Sequence, residues 1–298
     1  MFSPRSILVA TDFSSAAAEA AQAALRLAQA FGSTLHVVSC IEQVAGYGGV
    51  RVMQVTDAPE LLQVTAGEAL AQLEQVAREQ LQGLPPEQRH LRVGRPAEEI
   101  LAAAQEAQAE VIVLGTRAAT GLDRFLRGSV AEAVIERSVR PVLSLAQAFE
   151  PSRREPILVA VDFSLASQEA LEAAEGLARV LEVPLHLVAV LEPPRRSSLW
   201  QAAPTEPEEA ARERVLSQLE HFAGKTLRAD TSRVYEVVVG GVPESLQKVA
   251  GVLKPQLIAM GTHGEEHWTE KLLGGGTLRM LRTCGMPLLT AAGQAGKH

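Results

Sequence analysis

Short apolar runs alternate along the chain with longer stretches in which apolar residues recur every three or four positions. Ile7-Leu-Val-Ala10 is followed by Ala16–Ala30, whose apolar spacing lies near 3.6. That pair reads as a buried strand and an amphipathic helix. Thr34-Leu-His-Val-Val38 is a second strand, and Ala66–Leu81 a second helix. His90–Val93 is strand three and Pro96–Ala107 helix three, with Pro96 suited to a first helical turn. Glu110–Leu114 is strand four, a helix begins at Ser129, and Pro141–Leu145 is strand five. Between strand two and helix two, Gly46–Thr65 carries a Tyr-Gly-Gly turn and reads as a variable loop placed to cover a site. Apolar strands alternating with helices imply a parallel sheet covered on both faces.

The whole pattern is then written again. Ile7-Leu-Val-Ala-Thr-Asp-Phe-Ser14 returns as Ile157-Leu-Val-Ala-Val-Asp-Phe-Ser164. Leu35-His-Val-Val38 returns as Leu185-His-Leu-Val188, and Arg140-Pro-Val-Leu143 as Met286-Pro-Leu-Leu289. The offset drifts only from 150 to 146 residues, so a domain has been duplicated. The expected organisation is one domain over residues 1–147, a polar linker over 148–155 and a second domain over 156–298. The second variable stretch, Glu192–Pro207, is rich in Pro, Arg and Ser and contains Trp200, a candidate partner contact or lid, or a cover for a local apolar patch. The charge run Glu206–Arg214 reads as a solvated helix face.

Composition narrows the class. Of 298 residues, 47% are hydrophobic and 21% charged, enough apolar material for two cores. A net charge of -7 argues against broad nucleic-acid or anionic-membrane binding, either of which needs a basic face. No apolar run approaches the roughly 18 residues of a membrane span. The first residues, broken by Asp12, do not read as a signal peptide. The 2 cysteines, Cys40 and Cys284, have neither metal nor disulfide spacing, and a cytoplasmic setting is expected.

Chemistry concentrates in Leu114–Glu132, LGTRAATGLDRFLRGSVAE. It runs from a strand through a glycine-bounded loop to a helix start, where Ser129 and Glu132 have capping-box spacing. First-turn amides lack partners inside the helix, and the dipole is positive there, so the arrangement suits a phosphate. The alternative is a connection without ligand, whose glycines serve turns and close helix packing. Neither a Gly-Lys-Ser/Thr signature nor a GxGxxG is present. Asp12 and Asp162 follow strand one of each copy, at the end of an open sheet where ligands bind. Each is read either as an acceptor for an adenine amino group or ribose hydroxyl, or as a turn residue that acts with Ser14 or Ser164 in capping helix one. His36 and His186 repeat within strand two and read as packing or hydrogen-bonding residues rather than metal ligands. His263 and His267 stand four apart, but Gly264 and the loop setting weaken a metal reading. Ser129 has no base beside it, so no nucleophile or catalytic residue is assigned.

Asp12-Phe-Ser, then Gly115-Thr-Arg-Ala118, nine residues and Gly128-Ser129, resembles the universal stress protein family. The second copy reads Gly261-Thr-His-Gly264, nine residues, Gly274-Gly275. The ATP-binding branch of that family has Gly, two residues, Gly, nine residues, Gly, then Ser or Thr. The resemblance covers essentially the whole chain as a tandem pair. It implies two tandem Rossmann-like, doubly wound α/β domains, each a five-stranded parallel sheet flanked by helices. It also implies ATP, with or without Mg2+, in one crevice per domain. Carried over, the adenine contacts fall on Asp12 and Val37 and on Asp162 and Leu187, with Ala10, Thr11, Ala160 and Val161 beside the aspartates. Leu114 and Met260 flank the nucleotide. Phosphate and ribose contacts fall on Gly115, Arg117, Gly128, Ser129, Val130 and Ala131. In the second copy they fall on Gly261, His263, Gly264, Gly274, Gly275, Gly276 and Thr277. Arg117 and Ala118 replace the family's His and second Gly, and Gly275 replaces its Ser or Thr. Each copy therefore keeps a different half of the motif, and unequal affinities are expected.

What the resemblance implies is a nucleotide-dependent stress-response module. The rivals are a slow ATPase and an interaction protein with degenerate sites. A metal-bridging acid and a positioned base are not evident, so hydrolysis at most weak is expected. The family pairs two such domains through their last strands. The tandem would satisfy that pairing within one chain, and further homo-oligomerisation is left open.

Overall fold

The computed structural model describes residues 2–42, 59–116, 129–147, 149, 154–192, 207–262 and 275–293. The chain divides into two compact units, residues 3–151 and residues 152–298, the latter grouped with the first two residues. The first unit runs β1 (Ser6–Ala10), α1 (Ser15–Phe31), β2 (Thr34–Glu42), α2 (Pro59–Glu79), β3 (Arg89–Gly94), α3 (Pro96–Glu106), β4 (Val111–Gly115), α4 (Ser129–Arg137) and β5 (Val142–Leu145). Its strands lie in the order β3-β2-β1-β4-β5, and every pair is parallel.

The second unit repeats this as β6 (Ile157–Ala160), α5 (Leu165–Leu181), β7 (Leu185–Leu191), α6 (Glu208–Thr226), β8 (Arg233–Val239), α7 (Val242–Leu253), β9 (Leu257–Gly261), α8 (Gly275–Thr283) and β10 (Leu288–Ala291). Its order is β8-β7-β6-β9-β10, again all parallel. Each unit is thus the doubly wound α/β sheet expected from the alternation.

The central strands are buried on both faces, which is why Ile7-Leu-Val9 and Ile157-Leu-Val159 are continuously apolar. In α1 the buried stripe is mostly alanine: Ala16, Ala17, Ala20, Ala21, Ala23 and Ala24, with Leu27. Small side chains bring this helix unusually close to the sheet. The Ser14 hydroxyl caps its start by accepting from the Ala17 amide at 3.2 Å. Gly32, in the left-handed region at φ 71°, ends it. In the second unit, Leu158, Val188, Ile258 and Leu288 of the sheet pack with Leu246, Val249 and Met280 of α7 and α8.

Two boundaries differ from expectation. Helix α2 begins at Pro59, so the last part of the stretch read as a loop, residues 59–65, is helical. Pro59-Glu60 is itself a helix-start signal, a proline followed by an acidic residue in the first turn. The rest of that stretch, 46–58, lies outside the described residues, as does all of the second one except its ends, Glu192 and Pro207. Strand β2 extends to Glu42 rather than stopping at Val38, because β3 pairs with it up to Gly94. The charge run lies largely on α6, where Glu208, Glu209, Glu213 and Arg214 are exposed.

Candidate functional site

The strand order reverses between β1 and β4, which are direct neighbours through Ile7↔Val111 and Val9↔Val113. From β1 the chain crosses over to β2 on one side, and from β3 it returns to β4 on the other. Beyond the carboxyl ends of β1 and β4 lies the switch point, the place where an open sheet of this kind leaves a crevice. Asp12 and Asp162 stand at its mouth, both exposed.

The turn reading of the aspartate is directly visible in its hydrogen bonds. Asp12 Oδ1 accepts the Ser14 amide at 3.0 Å, and Ser14 in turn caps α1. The turn is tight enough to place Phe13 at φ 63°. Thr11 steadies it from inside: its hydroxyl accepts from the Phe13 amide at 3.1 Å, and its own amide donates to the Val38 carbonyl at 2.8 Å. Among the described residues Asp12 Oδ2 makes no hydrogen bond. In the second unit Asp162 Oδ1 accepts both the Ser164 amide, at 3.0 Å, and the Ser164 hydroxyl, at 2.5 Å. Asp162 is thus tied into its turn by one bond more than Asp12.

The opposite wall comes from β2. The Thr34 amide donates to the Arg5 carbonyl, and the Val38 carbonyl accepts from the Thr11 amide. Even-numbered residues of β2 therefore turn their peptide groups toward β1, and odd-numbered ones toward β3. β1 ends at Ala10, opposite Val38. Cys40, two residues further on, turns its amide and carbonyl to the same side, where no strand remains to receive them. In the second unit Val161 donates to the Val188 carbonyl, while the Leu191 carbonyl accepts from Gly240 on the far side. Val190 is accordingly the counterpart of Cys40.

The side chains of Val37 and Leu187, by contrast, are 0% exposed, level with Val9 and Val159, and their peptide groups face the outer strand. The peptide group that faces past the end of the central strand is therefore that of residue 40, or 190, three residues beyond Val37 and Leu187. The Cys40 thiol does not join the crevice: its Sγ lies 3.9 Å from the Pro96 carbonyl, and burial pushes its pKa up to about 11.

The floor is formed by Ala10 and Ala160, half-buried, over the buried Thr11 and Val161. Leu114 and Met260 are buried beneath the third side. Gly115 and Gly261 close β4 and β9 and have a structural duty there. A β-carbon on Gly115 would lie 2.6 Å from the Ala16 carbonyl oxygen, and one on Gly261 would lie 2.8 Å from Ala166 Cβ. Their bareness lets α1 and α5 seat on the sheet, the helix-packing role weighed for these glycines.

Helix α4 begins with Ser129, exposed, and Val130, 38% exposed; Ala131 is buried. Ser129 is itself the first helical residue, so it does not hold the capping position that its spacing with Glu132 suggested. In α8, Gly275 is exposed and Gly276 half-buried. Thr277 is buried and donates its hydroxyl proton to the Gly261 carbonyl at 2.8 Å, fastening the helix to the end of β9. That proton is spent within the protein. Arg117, Gly128, His263, Gly264 and Gly274 lie outside the described residues.

Among the described residues no group of three or more His, Cys, Asp or Glu side chains is arranged to hold a metal. No helix there is long and apolar enough to cross a membrane.

Comparison with known proteins finds relatives of both halves of the chain. The model of the Universal stress protein family matches residues 4–145 and again 153–291. A universal stress protein of Methanocaldococcus jannaschii is 34% identical over 140 residues, covering 47% of this chain and 80% of its own. One from Thermus aquaticus is 37% identical over 141 residues, covering 47% of this chain and 96% of its own. A solved universal stress protein from Archaeoglobus fulgidus shares the fold over 98% of this chain and all of its own, with TM-score 0.74 at 19% identity.

Proposed function

Because the chain belongs to the universal stress protein family along both halves, we propose that it is a regulatory module binding ATP in the crevice of each unit. The observation that carries this reading is the peptide of residue 40 or 190, facing past the end of the central strand beside an exposed aspartate. An adjacent amide donor and carbonyl acceptor match the ring nitrogen and amino group on one edge of adenine. The uncommitted Asp12 oxygen suits a second polar group of the nucleoside. Across the crevice, the amino-terminal end of α4 or α8 suits phosphate, through unpaired first-turn amides and a positive dipole. The chemistry ATP supplies here is recognition, its occupancy setting a conformation or a partnership.

We place the tighter site in the first unit. Asp12 is committed to one internal hydrogen bond and Asp162 to two. Ser129 offers a hydroxyl where Gly275 has none, and the Thr277 hydroxyl proton is already donated inward.

The test is calorimetric titration of nucleotide-free protein with ATP. Asp12→Asn keeps the turn acceptor while removing the charge. It is expected to weaken the tighter of two binding events, and Asp162→Asn the weaker. Absence of heat and of any melting shift at millimolar ATP would refute nucleotide binding. Equal effects of the two variants would refute the ranking.

A further inference from the structure

His36 was read above as a packing or hydrogen-bonding residue. What sequence spacing did not reveal is its neighbour. β2 and β3 pair through Val38↔His90, so His36, two residues before Val38, stands diagonally from His90 on the same face of the sheet. The His36 Nδ1 and His90 Nε2 atoms are 3.1 Å apart. The rings are near-parallel, with centroids 5.3 Å apart and planes 25° from each other. Both side chains are half-buried, so solvent reaches one side of the pair.

We propose that His36 and His90 form a bidentate site for a borderline divalent transition metal, Zn2+, Ni2+ or Cu2+, with water completing the coordination. The geometry is the first argument. Metal–imidazole bonds run about 2.0–2.1 Å, so two nitrogens on one ion stand about 2.9 Å apart at a right angle and about 3.3 Å apart at the tetrahedral angle. The observed 3.1 Å lies between these, so rings that turn to aim both lone pairs at one ion can chelate it without changing their nitrogen separation. Ligand chemistry is the second argument. Imidazole suits these ions and binds them only when neutral. Burial first, then the charge of His90, holds His36 below its ordinary pKa; burial first, then the charge of Arg92, does the same for His90. Glu106, from α3, acts on His90 in the opposite sense but is ion-paired with Arg92.

The third argument is the internal comparison. At the same register in the second unit, Val188 pairs with Glu236, and His186 Nε2 lies 2.7 Å from the Glu236 carboxylate. The duplicated fold thus carries a His–His pair in one unit and a His–Glu pair in the other, on one backbone geometry.

The experiment is calorimetric titration of the full chain, stripped with chelator, with Zn2+. One equivalent is expected to bind and to raise the melting temperature. Loss of a partner that merely orients a ligand already costs about 10–100-fold in affinity, so removing a ligand should cost more than tenfold. Both His36→Gln and His90→Gln should show that loss, and His186→Gln should not. Zn2+ binding unchanged in His36→Gln and His90→Gln, or lost in His186→Gln, overturns the proposal. Should either variant fail to fold, long-range proton–nitrogen spectra of the unaltered chain decide. Zn2+ should shift His36 Nδ1 and His90 Nε2 together, and unmoved ring resonances overturn the site.

Discussion

Gly115→Ala adds one methyl group at the end of β4, at the start of the motif that the resemblance assigns to phosphate. The new β-carbon would stand 2.6 Å from the Ala16 carbonyl oxygen, 2.7 Å from its carbon and 2.9 Å from the Ala17 nitrogen. All three are backbone atoms of the first turn of α1, so no flexible side chain can swing away. The helix must lift from the sheet by several tenths of an ångström, next to the Ser14 cap and the Asp12 turn. Overpacking of this kind costs about 1–3 kcal/mol. For a unit of this size each kcal/mol lowers the melting temperature by about 2–4 °C, so a fall of about 2–12 °C is expected. Gly261→Ala meets Ala166 and Ser167 at 2.8–2.9 Å and should act alike in the second unit. Gly275→Ala is the control: among the described residues nothing lies within 4 Å of its added carbon. There alanine should be neutral or slightly stabilising, since it is the better helix residue by up to about 1 kcal/mol. Scanning calorimetry without nucleotide reads all three. A Gly115→Ala protein melting within about 1 °C of the parent, or a Gly275→Ala protein losing as much as Gly115→Ala, would refute the packing argument.

Ser14→Ala removes the α1 cap and should cost about 0.5–2 kcal/mol, measured by urea unfolding, whereas Ser14→Asp should recover most of it. Glu175 is a buried carboxylate on α5 that accepts the Arg228 amide at 2.8 Å and the Thr231 hydroxyl at 2.5 Å. Glu175→Ala leaves both donors without their acceptor and should destabilise the second unit by about 1–3 kcal/mol; Glu175→Gln, which still accepts, should lose clearly less in the same unfolding assay. Cys40, with its pKa raised to about 11, stays protonated at pH 8. An ordinary thiol, with pKa near 8.5, is about one quarter thiolate at that pH; even after allowing for the greater nucleophilicity of the more basic thiolate, Cys40 should alkylate about tenfold or more slowly. Its rate with iodoacetamide should keep climbing through pH 10, and a plateau near pH 9 would contradict the burial.

The alternation of apolar runs and helical periods, and its repetition, determined the architecture from the sequence alone. Apolar strands of this kind have to be covered on both faces, and the duplicated Ile-Leu-Val-Ala…Asp-Phe-Ser segments marked two units. The sequence also placed the aspartates and glycines at strand ends, because those motifs are local. It could not divide their duties. Whether Gly115 serves a ligand or a helix depends on how closely Ala16 approaches, and that follows from the alanine stripe of α1 meeting the sheet. The crevice-facing peptide of Cys40 was hidden because the backbone carries it and the side chain does not. It appears only once β1 is seen to end two residues short of it. The His36–His90 pair was hidden for a related reason: the two residues are 54 positions apart, and only the register of β2 on β3 brings them together. Spacing along a chain reports what one helix or strand does by itself. Where strands end against one another, and which side chains meet across them, is decided by pairing and packing between segments, and so belongs to the tertiary structure.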